Sequence, residues 1–124
     1  MMKAFIGNWR ILLFLCVAAL LCYGLLRSAP PPELFAQSDK LEHLLAFAAL
    51  AFTCRAAFPH LGNERFWGLM LPLAPLLEWL QHLLQPASRH FSLGDAAANL
   101  AGMLLAALAW RWLQRRAASA AAPA

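Results

Sequence analysis

The sequence predicts an all-α protein, a bundle of four transmembrane helices with both termini in the cytoplasm. Three observations predict it. The 124-residue chain is 62% hydrophobic and 13% charged, with mean hydropathy +0.58, far more apolar than a soluble domain of its size. The apolar residues fall into four runs joined by short connectors, and ten of the sixteen charged residues lie outside the runs. Lysine and arginine are unevenly shared between the two sets of run ends.

The first run, Ile11 to Leu26, lies between Arg10 and Arg27. Sixteen helical residues cover roughly 24 Å, short of the ~30 Å hydrocarbon core, but both arginines can snorkel. Lys3 and Arg10 also suit the start of a secretory signal. No small-x-small cleavage site follows Arg27, so a retained anchor is expected. Pro30 to Pro32 ends this helix in a stiff connector, closing an N-terminal unit of residues 1–37. The second run, about Lys40 to Phe58, opens on Ser38-Asp39 with Glu42 three residues after Asp39, a helix-start signal. Residues 59–65 form a turn. The third run, about Phe66 to Leu84, carries Pro72 and Pro75, which should kink it. The fourth, about Leu93 to Leu113, follows Ser92 with Asp95 three residues on, the pattern of a capping box. Residues 38–113 therefore form a three-helix membrane domain, and the alanine-rich residues 114–124 read as a disordered cytoplasmic tail.

Orientation follows from charge. Lys3, Arg10, Arg55, Arg65, Arg111, Arg115 and Arg116 fall on the side of the N-terminus, seven of the ten basic residues. Arg27, Lys40 and Arg89 fall on the other. The positive-inside rule places the first side in the cytoplasm. Five of the six acids, Glu33, Asp39, Glu42, Glu78 and Asp95, then lie on the outer side. The net charge of +4 is spread over run ends instead of forming a patch, which argues against a nucleic-acid partner. Cys16, Cys22 and Cys54 sit inside apolar runs and suit neither a disulfide framework nor a zinc knuckle.

Helical spacing gathers polar residues at the outer rim. Asp39, Glu42 and His43 share one face; Glu78, Gln81, His82 and Gln85 share another; Ser92, Asp95, Asn99, Gly102 and Ala106 form a stripe, polar at its mouth and small further in. Unpaired ionisable groups in a membrane cost at least a few kcal/mol each, so mutual pairing is expected, with Glu78 deepest. Glu78, Asp95 and His43 are the candidate catalytic or proton-handling groups. Asp39, Lys40, Gln81, Arg89 and Asn99 are the candidate ligand-binding groups. Each has a structural reading beside this one. Asp39 and Asp95 could cap helices, Arg89 could meet a lipid phosphate, and His43, Gln81 and Asn99 could tie helices together. The pairs Asp39/His43 and Glu78/His82 have ligand spacing, but no H-E-x-x-H pattern occurs and no metal is assigned. No nucleophile elbow, phosphate loop or dinucleotide fingerprint is present, so no cofactor is expected.

The order Asp39-Lys40-x-x-His43-x-x-x-Phe47, then Glu78-x-x-Gln81, then Arg89-x-x-Ser92-x-x-Asp95-x-x-x-Asn99-x-x-Gly102 resembles the VanZ-like family of small integral membrane proteins. The resemblance covers roughly residues 38–108; Ser88 departs from it, standing where the family often has glycine. It implies a multi-pass protein of the bacterial cytoplasmic (inner) membrane with a role in the cell envelope, of the kind tied to teicoplanin and other glycopeptide antibiotic resistance. It does not fix a reaction. Partners expected are the lipid bilayer and a lipid-linked or anionic envelope ligand, bound or modified at the outer rim. The alternative is a non-catalytic structural or assembly factor with a membrane-protein partner, its polar cluster locking the bundle. An ion conductor is disfavoured, because residues 44–54 and 100–110 carry no Asp, Glu, Lys, Arg or His.

Overall fold

Alanine, leucine and phenylalanine runs give long helices where proline does not interrupt them, and the computed structural model is all-helical. It describes residues 2–27, 29, 32–87 and 90–123, and among these no strand occurs. The helices are α1 (Met2–Leu26), α2 (Ser38–Ala57), α3 (Asn63–Met70), α4 (Leu73–Leu84) and α5 (Leu93–Ala121). α2 is the central element: it packs most extensively on α5 and next on α1, while α4 lies against α5.

Among the described residues, two helices are long and apolar enough to cross a membrane, the Asn8–Leu26 part of α1 and α5. Their outward faces are apolar as well: Leu12 and Leu20 on α1 and Leu108 on α5 are 65%, 71% and 64% exposed. Water-soluble proteins rarely leave so large a continuous apolar surface uncovered. The core is narrow and made of Phe47, Ala51, Phe66, Met70, Ala74, Met103 and Ala106. Gly102 lets α5 approach α2 backbone to backbone, for a Cβ there would collide with the Leu44 carbonyl oxygen.

Three local expectations change. Asp39 does not cap α2. The N-cap is Gln37, in the left-handed conformation at φ 65° and ψ 23° without a side-chain cap bond, and Asp39 lies in the first turn. Ser38 is turned backwards, its Oγ accepting the Leu34 N–H at 3.1 Å. The third run breaks into α3 and α4 at Leu71-Pro72 instead of bending twice. Pro72 has no N–H for the Gly68 carbonyl, whereas Pro75 falls in the first turn of α4, where that N–H would have no helical partner anyway. Finally, where a disordered tail is expected from residue 114, α5 continues to Ala121. Alanine has the highest helix propensity, and extending an existing helix carries no nucleation cost.

Candidate functional site

The polar ends of α2, α4 and α5 meet at one end of the bundle. Ser92 caps α5 as its pattern predicts, its Oγ accepting the Asp95 N–H at 3.2 Å. The reciprocal half of the box comes from another helix: the Ser92 N–H donates to Glu78 Oε1 on α4 at 3.4 Å. The Asp95 carboxylate instead faces α2, with Oδ1 3.5 Å from Lys40 Nζ and Oδ2 3.9 Å from His43 Nε2. Lys40 also lies 3.5 Å from Asp39 Oδ2. Gly94 makes room for this crossing, since a Cβ there would press on the Lys40 stem.

Below this layer His43 Nδ1 donates to Asn99 Oδ1 at 2.8 Å, tying α2 to α5. With Nδ1 bonded to Asn99, Nε2 is the ring nitrogen on the Asp95 side. Glu78, Gln81 and Asn99 are buried, and His43 and Asp95 are largely so. Asn99 Nδ2 has no hydrogen-bond partner among the described residues, and Asp95 Oδ1 has only the Lys40 ammonium.

Seven of the eight residues singled out from the sequence thus gather at one end; Asp39, Lys40, His43, Asp95 and Asn99 form one connected network. Glu78 adjoins it through Ser92, and Gln81 lies buried one turn from Glu78. Arg89 lies outside the described residues. The ligand-spaced pairs weighed from the sequence are superseded by a group drawn from three helices: one donor atom each of His43, Glu78 and Asp95 lie within 4.8 Å of one another. That set could hold a divalent cation, but Lys40 competes for the same Asp95 carboxylate.

A cavity of about 440 Å³ runs between α1 and α2 beside this network. Leu21, Gly24 and Phe47 line its apolar length, and Glu42, His43 and Gln81 line its polar end. Gln85 closes the C-terminal end of α1, its Nε2 donating to the Leu26 carbonyl at 2.6 Å.

Sequence reasoning passed over Arg55, taken only as a topology charge. It is 3% exposed at the opposite end, donating to the Phe58 carbonyl and to Asn63 Oδ1, each at 2.9 Å. The available signal was its place inside an apolar run with aromatics at both neighbouring turns.

No protein-family model, no curated protein and no solved structure matches this chain.

Proposed function

We propose that the chain is a VanZ-like, four-span protein of the bacterial inner membrane that binds a lipid-linked anionic envelope molecule at its outer rim. One observation carries this reading: His43 lines both the charged network and the apolar cavity between α1 and α2. A ligand with a hydrocarbon chain and an anionic head would place the chain along Leu21, Gly24 and Phe47 and the head beside Arg27 and His43. Small-molecule sites combine an apolar wall with a few placed polar groups in this way. His43, Asp95 and Glu78 would handle a proton on the bound head, and a glycopeptide-resistance role follows if that molecule is a wall precursor.

The test replaces Glu78 by Gln, Asp95 by Asn and Arg27 by Gln singly. It measures retention of a polyprenyl pyrophosphate by the purified protein, glycopeptide sensitivity of cells, and membrane level of each variant. Loss of retention at normal level supports the site. Unchanged retention and sensitivity in all three removes it.

The second reading, a structural or assembly factor, is favoured by the His43–Asn99 and Glu78–Ser92 bonds, which join different helices. Under it the same variants lose membrane level, and a partner membrane protein co-purifies in mild detergent.

A further inference from the structure

The end of the bundle opposite the acidic network is built from hydrogen-bond donors. Arg55, buried, sits between the rings of Phe66 and Trp110, its guanidinium carbon 5.2 and 5.4 Å from their centroids. Its bond occupies Asn63 Oδ1, and the Nδ2 of that amide is a donor on a residue that lines the groove beside it. Beside it a groove of about 580 Å³ opens between α3 and the last turns of α5, lined by Asn63, Trp67, Trp110, Arg111, Gln114 and Arg115. Arg111, Gln114 and Arg115 stand at i, i+3 and i+4, so α5 presents them together. No acidic side chain lines the groove among the described residues.

Two buried donors here, Arg55 Nε and Trp110 Nε1, have no hydrogen-bond partner among the described residues. A buried donor without an acceptor is costly, and Trp110 Nε1, on a residue that lines a groove rimmed by two guanidinium groups, marks a place short of acceptors. Phosphate oxygens are the acceptors that guanidinium groups match best, in paired bonds. Trp67 and Trp110 are amphipathic rings of the kind that settle where headgroups meet acyl chains.

We propose that this groove binds the phosphodiester headgroup of an anionic phospholipid. The lipid lies in the leaflet on the side of the chain termini, with Arg111 and Arg115 on the phosphate and the two tryptophans against the glycerol and upper acyl carbons. The site rests on α5 crossing a bilayer and shares that premise with the outer-rim reading, but none of its residues.

The test uses the full chain, delipidated in neutral detergent, with phosphatidylglycerol, phosphatidylcholine or glycerol phosphate added and bound adducts counted by native mass spectrometry. Phosphatidylglycerol is expected to be retained in preference to phosphatidylcholine. The double variant Arg111→Gln/Arg115→Gln should weaken that retention on the order of tenfold or more. The control Arg10→Gln/Arg116→Gln removes the same charge away from the groove and should leave it unchanged; Arg116 stacks on Trp112 instead. Asn63→Asp keeps an oxygen for Arg55, so the fold stands, while placing a negative charge in the groove, and should also weaken retention. Equal loss in the control double variant would overturn the site by reducing it to bulk charge. Equal retention of phosphatidylcholine, or of glycerol phosphate without a lipid, would overturn the ligand. Retention of polyprenyl pyrophosphate by the double variant separates this outcome from failure of the outer-rim reading.

Discussion

The Glu78 carboxylate accepts the backbone N–H of Ser92 at 3.4 Å, so the helix that carries Glu78 caps the helix that follows it. In a self-contained capping box the acid three residues after the cap would take this N–H. Because Glu78 takes it, Asp95 is released to face Lys40 and His43. The network therefore depends on a bond between α4 and the start of α5.

Glu78→Gln keeps a carbonyl oxygen for Ser92 and is expected to unfold within about 1 kcal/mol of the parent protein. Glu78→Ala removes the acceptor in a buried site and should cost roughly 1–3 kcal/mol. Thermal unfolding in detergent, followed by circular dichroism, compares the two. Equal losses would mean that the Ser92 bond is not what the oxygen supplies.

The His43–Asn99 bond joins α2 to α5 at 2.8 Å. A double-mutant cycle with His43→Ala and Asn99→Ala should give a coupling of roughly 0.5–1.5 kcal/mol, the range of inter-helix bonds in membrane proteins. Unfolding by a denaturing detergent reads it; strictly additive losses would show no coupling.

Gly102→Ala should be the most damaging single-methyl insertion among the described glycines. Its Cβ would meet the backbone of Leu44 and Ala48, which cannot move without separating α2 from α5. Overpacking of this kind costs roughly 1–3 kcal/mol. Gly24→Ala and Gly68→Ala open onto free space and should be neutral or stabilising. Melting temperatures of the three variants check the order.

Orientation is tested with Lys40→Cys and Arg115→Cys, each in a background with Cys16, Cys22 and Cys54 replaced by serine. A membrane-impermeant maleimide should label position 40 in intact spheroplasts and position 115 only after lysis. Labelling of both from one side would remove the four-span arrangement.

Much of the helical layout was legible because it rests on local rules. Ser92 caps α5 as its spacing announces, and the polar faces of α2 and α5 meet as their periodicity requires. What was not legible rests on contacts between distant residues. Nothing in Ser38-Asp39 shows that Gln37 takes the cap while Ser38 reaches back to Leu34. Nothing near Arg55 shows that Asn63 and Trp110, from two other helices, will enclose it. Pairwise ligand spacing on α2 and α4 could not anticipate a group with one member on each of α2, α4 and α5. The helical tail was obscured for another reason: alanine repeats read alike as spacer or as helix until a preceding helix decides them.

The gap at Leu71-Pro72 has a mechanical corollary. An uninterrupted rod from Asn63 to Leu84 would transmit any tilt at Glu78 directly to the Arg55–Asn63 clamp. With the ladder interrupted at Pro72, α3 and α4 are separate helices, and no continuous hydrogen-bonded rod links Glu78 to Asn63.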